Sequence, residues 1–269
     1  MTPVDRPVAN QEAASAMLDQ ARRYWQYEYS LVVHHLVPLL RRWEVSLEGA
    51  SIIDIGCAYG GGVCGLYDSG ARCDAFDVNT HFIDMARQLQ GERAIPFTVG
   101  NLHGHEAPFM GRRYDLIVLH DVFEHLERKD ESLAKLKTYM KAGGCMFITF
   151  PPYYSAYGAH QQILRFPLAR LPFFHLVPLS LSALLPRLKG ESEDFVAEVQ
   201  KLGRLKMGIR KFEAIIRRNQ LHVRRKQAYL IGPNHIRFGL KPVPAGPVMR
   251  VPVLNELLCS GIAYLLSAD

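Results

Sequence analysis

The stretch Ser51-Ile52-Ile53-Asp54-Ile55-Gly56-Cys57-Ala58-Tyr59-Gly60-Gly61-Gly62 constrains this chain more than any other. A short apolar run passes into a glycine, three residues and then three consecutive glycines. That order predicts a strand, a tight turn and the start of a helix. Glycine suits such a turn because a Cβ would forbid φ > 0 or collide with a ligand lying on it. The helix that follows presents N–H groups without intrahelical partners at its first turn. A strand, a Gly-rich turn and a helix in this order bind nucleotide-like ligands. Two common versions are excluded: Ala58 stands where G-x-G-x-x-G needs its second glycine, and no Lys-Ser/Thr follows as in a P-loop.

Arg72-Cys73-Asp74-Ala75-Phe76-Asp77-Val78 predicts a second strand ending in an acid. A carboxylate about 20 residues past the glycines, at the tip of the second strand, accepts hydrogen bonds from ribose hydroxyls. The competing reading of Asp77 is an N-cap for the helix starting near Thr80. Position and chemistry together favour ribose. Strand and helix then alternate: helices near 61–69 and 80–90, strands at 94–99 and 114–120, a helix starting near Asp130 and ended by Gly143-Gly144, and a strand at 145–150. Tyr114–His120 is a continuous apolar run, the mark of a strand buried on both faces. Such alternation implies right-handed crossovers and a parallel sheet. Gly56, Asp77, Asn101 and His120 then all fall at the C-terminal ends of strands, where open α/β sheets bind ligands.

Residues 53–60, Ile-Asp-Ile-Gly-Cys-Ala-Tyr-Gly, resemble motif I of the class I S-adenosylmethionine-dependent methyltransferases, and Asp77 matches their ribose acid. Residues 114–126 are similar to their fourth strand and the loop after it. Residues 140–150 are similar to their fifth strand and the glycine turn before it, with Ala142 in place of the usual proline. The resemblance covers residues 51–150. It implies an α/β fold, a doubly wound, seven-stranded, mostly parallel Rossmann-like sheet with an insertion after strand five. It also implies S-adenosyl-L-methionine as cofactor, held by Asp54, Gly56, Cys57, Ala58, Gly60, Asp77, Val78, Asn101, Leu102 and His120. Asn101 would meet the adenine amino group where the family often has Asp; a simple turn is the other reading, since Asn and Gly favour turns.

The flanks are less informative. Residues 11–43 predict helices with an aromatic cluster, Tyr24-Trp25-Gln26-Tyr27-Glu28-Tyr29, which either packs on the sheet or covers the cofactor. After strand five the rhythm breaks. Residues 153–162 are rich in tyrosine and glutamine, and 171–186 are apolar but too short and proline-broken to span a membrane. A lid over the acceptor is the favoured reading, and transient contact with a membrane surface is the other. Residues 208–219 predict a helix, 221–231 strand six, 235–241 strand seven, and 253–266 a terminal helix. The division expected is therefore 1–48 helical lid, 49–150 cofactor core, 151–207 acceptor-binding insertion, and 208–269 completion of the sheet.

The net charge of +6 over 269 residues favours anionic partners mildly. Arg217, Arg218, Arg224, Arg225 and Lys226 form a basic cluster. Without interleaved aromatics it reads as a solvated face rather than a nucleic-acid site. Cys57, Cys64, Cys73, Cys145 and Cys259 include no C-x-x-C pair, and no apolar run follows the first residues. A reduced, cytoplasmic setting is expected. Residues 120–125, His-Asp-Val-Phe-Glu-His, look like a metal cluster, but the spacing misses H-x-x-E-H by one residue and no distant third ligand is evident. No metal is expected.

These readings converge on methyl transfer to a small molecule, most simply to a hydroxyl of a sugar-containing, lipid-linked or natural-product acceptor. A hydroxyl must lose its proton near the transition state, commonly to His. His160, in the loop after strand five, is the first candidate, with His120 and His125 as competitors. Tyr153, Tyr154, Tyr157 and Gln161 are candidates for holding the acceptor. An RNA methyltransferase using residues 217–226 and a non-catalytic cofactor-binding protein are the alternatives. The oligomeric state is not legible.

Overall fold

The computed structural model describes residues 5–104 and 107–268. Eight strands hydrogen-bond in the order β3-β2-β1-β4-β5-β8-β6-β7. The chain divides into two compact units, residues 1–116 and 117–269.

The first unit begins with a long helix, α1 (Asp5–Leu31), which passes through one π turn (Val32–Leu36) into α2 (Val37–Arg42). Then come β1 (Ser51–Ile55), α3 (Gly61–Asp68), β2 (Arg72–Asp77), α4 (Thr80–Leu89) and β3 (Phe97–Val99). β2 pairs in parallel with β1, Ser51 opposite Arg72, and with β3, Asp77 opposite Val99. Ile52, Ile53, Val63, Cys64, Ala75 and Ile83 are wholly or almost wholly buried between sheet and helices. The aromatic cluster of α1 packs. Trp25 stacks on Tyr29 at 5.1 Å, Arg93 lies over both rings, and the same arginine pairs with Asp68, which also accepts from the Tyr29 hydroxyl. α1 comes so close to α3 that a Cβ on Gly61 would lie 2.1 Å from the Trp25 carbonyl oxygen. That glycine is there for helix packing, not for a ligand.

The second unit takes up β4 (Tyr114–His120) part-way along its length. It continues with α5 (Lys129–Thr138), β5 (Met140–Phe150), α6 (Leu179–Leu188), α7 (Glu193–Leu205), α8 (Ile209–Arg218), β6 (His222–Ile231), β7 (Val243–Pro244), α9 (Pro252–Leu258) and β8 (Gly261–Ser267). β8 is antiparallel to both β5 and β6.

Four sequence expectations change here. The strand that enters the sheet last is β8, the end of the chain, so residues 261–267 are not the second half of a terminal helix. A run apolar on all sides fits a buried helix or a central strand equally well. Residues 235–241 are not a strand: Pro233–Phe238 is a 3-10 helix ended by Gly239 at φ 74°. The sheet has eight strands rather than seven. Gly143 and Gly144 lie within β5, since α5 already stops at Thr138. The inserted segment has its own small core of Tyr153, Ala159, Leu164, Phe166, Ala169, Phe174, Val196, Val199 and Leu202.

Candidate functional site

The loop between β1 and α3 is built from unusual backbone. Gly56, Ala58 and Gly60 have φ of 78°, 46° and 80°, so even the alanine standing in for a glycine adopts the left-handed region. The Gly56 and Cys57 N–H groups both donate to the Phe76 carbonyl, at 2.8 and 3.3 Å. The Ala58 N–H donates to Asp77 Oδ2 at 3.0 Å, and Asp77 Oδ1 accepts from the Asn79 N–H at 2.9 Å. Asp77 therefore fastens the loop to the end of β2. Asn79, not Asp77, caps α4, its side chain accepting from the Phe82 N–H. No side chain caps α3, which starts at Gly61. Its first N–H groups offer the positive end of a helix to an anion.

Around Asp77 the surface is apolar. Val78 is 66% exposed, and Val99, which stands opposite Asp77 in the β2–β3 pairing, is also exposed. Asn101 is exposed, and its Oδ1 accepts from the His103 N–H at 2.9 Å, closing a side-chain turn; Leu102 is buried. Asp54 lies buried beneath the loop. Burial first, and the Asp77 charge second, raise its pKa to about 7. Burial likewise pushes the Cys57 thiol well up. Tyr59 packs between Tyr24 of α1 and Phe82 of α4.

The second unit carries a polar cluster just past β4. Asp121 takes φ 55°. It accepts from the Thr149 hydroxyl at 2.9 Å and from the Asn234 amide. Burial works against its charge, but the neighbouring His120 and His160 and these two bonds hold its pKa below the usual value. A single 3-10 turn, Phe123–His125, follows. Lys129 fixes that turn: its buried ammonium donates to the carbonyls of Phe123, Glu124 and Leu126. Burial lowers its pKa to about 7. Only the protonated form has three hydrogens for three carbonyls.

On this turn Glu124 is 2% exposed, and its Oε2 has no hydrogen-bond partner. Its Oε1 lies 3.3 Å from His160 Nε2 and 3.6 Å from His125 Nε2. The two imidazoles stack, 5.4 Å apart and 12° from parallel. His125 Nδ1 meets Glu198 Oε1 on α7 at 2.5 Å. Burial opposes protonation of His125, but the bond to Glu198 and the two carboxylate charges outweigh it and raise its pKa. His160 itself sits at φ 52°.

The other sequence candidates separate. Tyr153 is interior, its hydroxyl donating to the His175 carbonyl, and Gln161 is fully buried, its amide donating to the Ala156 carbonyl. Both belong to the packing of the insertion. Tyr154 is exposed, and Tyr157 donates to the Arg170 carbonyl. His120 ends β4 beside Asp121 and is not part of the Glu124 cluster. The sequence reading weighed Glu124 only as a metal ligand and set it aside, and it did not single out Lys129, Asn79 or Glu198. The first three stood next to motif residues; Glu198 lies on a helix with nothing in its surroundings to single it out. The sequence reading found no distant third ligand beside Glu124 and His125; His160 stands there, and the three each place a ligand atom within 4.8 Å of the others.

A family profile described as "Methyltransferase domain" matches residues 53–148. With the β1–α3 loop and Asp77, that match supports a methyltransferase domain of the class I S-adenosylmethionine-dependent kind over residues 53–148 of this chain. The chain is 30% identical to the malonyl-(acyl-carrier protein) O-methyltransferase of Halalkalibacterium halodurans over 45% of this chain and 47% of that protein. It is 25% identical to the ubiquinone biosynthesis O-methyltransferase of Paraburkholderia phytofirmans over 49% of this chain and 59% of that one. The chain thus spans about half the length of these curated relatives. Among solved structures, the plantazolicin methyltransferase BpumL, in complex with a triazolic desmethylPZN analog and SAH, covers the fold broadly. It has a TM-score of 0.52 and 13% identity, over 97% of this chain and 92% of that one. At that identity the likeness is one of fold.

Proposed function

We propose that this chain is an active S-adenosyl-L-methionine-dependent enzyme that methylates a hydroxyl of a small-molecule acceptor. The observation that carries the reading is the β1–α3 loop with Asp77. An acid whose two oxygens each accept only one backbone N–H keeps lone pairs for ribose hydroxyls. The uncapped α3 offers N–H groups to a carboxylate. Val78 and Val99 give an adenine ring an apolar surface, and Asn101 and Leu102 border it. These residues fit the cofactor. When bound, S-adenosylmethionine supplies a methyl group activated by its sulfonium. The curated relatives that match at the sequence level are O-methyltransferases, which supports oxygen as the methylated atom.

The acceptor's hydroxyl is assigned to the Glu124–His125–His160 cluster. Sequence order singled out His160 as a base; it is one of two imidazoles beside the buried Glu124 carboxylate. Of Tyr153, Tyr154 and Tyr157, Tyr154 is the exposed one and so the one free to meet an acceptor. The division of labour among residues 1–48, 49–150, 151–207 and 208–269, and a cytoplasmic location, belong to this proposal. The five cysteines are free and buried, which supports the latter. Incubating the protein with labelled S-adenosylmethionine and panels of phenolic, sugar and acyl-carrier acceptors tests it. Methyl esters or ethers are expected. Tight cofactor binding with no product across all panels would mean a non-catalytic member, and steep salt-dependent transfer to RNA would mean a nucleic-acid substrate.

A specific observation favours membrane contact as a second property. α6 exposes Leu181, Leu184 and Leu188 along one stripe, and Leu171, Phe173, Leu176 and Val177 before it are exposed too. Between Ile163 and Lys189 the chain carries Arg165, Arg170, Arg187 and Lys189 and no carboxylate. Exposed leucines among cations suit the interface of an anionic bilayer. No helix among the described residues is long and apolar enough to cross a membrane.

A further inference from the structure

We infer that Glu124, His125 and His160 form a binding site for a divalent first-row metal ion, with Glu198 as the outer partner of His125. The inference rests on the reading of this cluster as the centre that handles the acceptor, and it gives His160 a ligand's role in place of a free base's.

The geometry is that of a chelate. Two bonds of about 2.1 Å at a tetrahedral angle separate ligand atoms by about 3.4 Å. Glu124 Oε1 lies 3.3 Å from His160 Nε2 and 3.6 Å from His125 Nε2. Both imidazoles thus turn the same nitrogen toward one carboxylate oxygen. A second observation points to a ligand independently. Glu124 is 2% exposed, and its other oxygen has no hydrogen-bond partner. A buried carboxylate with an unsatisfied oxygen is costly unless a cation meets it. The nearest ammonium, Lys129, directs its bonds to three backbone carbonyls instead.

The surroundings match what a metal-bound histidine needs. His125 Nδ1 lies 2.5 Å from Glu198 Oε1, so Glu198 holds the ring with its proton on Nδ1 and its lone pair on Nε2. That tautomer is the one that coordinates. His160 is held at φ 52°, in the left-handed region that non-glycine residues seldom adopt, although histidine does so more readily than most. Two imidazoles and one carboxylate suit zinc, manganese, cobalt or iron better than calcium. Three protein ligands leave coordination positions for an oxygen of the acceptor, and a coordinated hydroxyl ionises more readily than a free one. The acceptor class this selects has an oxygen able to coordinate: a phenol, an enol or a carboxylic acid.

The test uses the full chain, stripped with a chelator and titrated with Co²⁺, Mn²⁺ and Zn²⁺ by calorimetry. The visible absorption of the Co²⁺ form reports ligand number. One ion per chain is expected. Glu124→Gln and His160→Gln should each weaken binding at least a hundredfold, and Glu198→Gln tenfold to a hundredfold. Circular dichroism and S-adenosylhomocysteine affinity check that each variant is folded. Absence of stoichiometric binding by all three ions overturns the inference, and so does binding that the folded Glu124→Gln and His160→Gln variants retain. Methyl transfer that continues in chelator-treated protein but is lost in His160→Ala would leave the enzyme and overturn the metal. An ion bound as described without any methyl transfer would overturn the proposed function and leave the metal.

Discussion

Replacing Asp77 by alanine should have two separable effects, because the carboxylate has two tasks. It fastens the glycine loop through Ala58 N–H at 3.0 Å and the start of α4 through Asn79 N–H at 2.9 Å. In the proposed complex it also accepts ribose hydroxyls. Hydrogen bonds to a charged group contribute about 1.5–3 kcal/mol. Losing the ribose bond should raise the dissociation constant of S-adenosylhomocysteine roughly tenfold to a hundredfold or slightly more. Losing the two backbone bonds should lower unfolding stability by about 3 kcal/mol. A domain stable by about 5–15 kcal/mol remains folded after that loss. Asp54 supplies a third readout: the Asp77 charge is the second cause of its raised pKa, so Asp77→Ala should bring that pKa down. Titration calorimetry and urea unfolding at 25 °C measure the first two. A folded Asp77→Ala protein with wild-type affinity would refute the ribose assignment, even if its stability had dropped.

Three further outcomes follow from particular residues. Asp54 should make the ligand-free protein less stable as pH rises. Its folded pKa of about 7 lies above the ordinary 3.8, so between those values the folded chain holds a proton that the unfolded chain has lost, and the slope of stability is negative. The cost approaches roughly 4 kcal/mol above pH 7. Asp54→Asn should flatten the decline measured by urea unfolding between pH 5 and 8, and parallel curves would show the assignment to be wrong. Gly61→Ala forces a Cβ to within 2.1 Å of a backbone oxygen and should cost about 1–3 kcal/mol or more, whereas Gly62→Ala meets nothing closer than 3.4 Å and should be neutral; equal melting temperatures would contradict the α1–α3 packing. Replacing Leu181, Leu184 and Leu188 by serine should abolish sedimentation with phosphatidylglycerol vesicles, and retained sedimentation would remove the membrane face.

The first half of the fold was legible because each local signal had one structural solution. The glycines after Ile55 and the acid ending β2 can be read from spacing alone, since only a strand, turn and helix accommodate them. The end of the chain was not legible. Residues 261–267 are buried on all sides, and such a run carries no period that separates helix from strand. Only pairing with Met146–Phe150 on one side and His222–Tyr229 on the other makes it a strand. The glycines at 143 and 144 misled for a related reason. Glycine after an apolar helix is the usual stop signal, but Tyr139 already ends α5, and the glycines lie early in β5, Gly143 exposed and Gly144 already buried.

The polar cluster shows a different limit. Glu124 and His125 are adjacent in sequence, but their distance from His120 misses H-x-x-E-H by one residue, so spacing set the pair aside. A single 3-10 turn, clamped by Lys129, holds both side chains at one place without His120. Their third partner, His160, comes from the loop after β5, and the fourth, Glu198, from a helix of the insertion. No spacing rule links these positions, since each connection runs through an insertion of arbitrary length. What could have been read is chemical: a glutamate in an otherwise apolar strand-end context needs a partner, and histidines are the side chains nearby able to supply one while also binding a cation. The exposed leucine stripe on α6 is the opposite case, visible in composition as leucine and arginine without acid. Its meaning depended on exposure. The same leucines turned inward would have formed only a lid's core, and it is their position outside the small core of the insertion that gives the bilayer reading its weight.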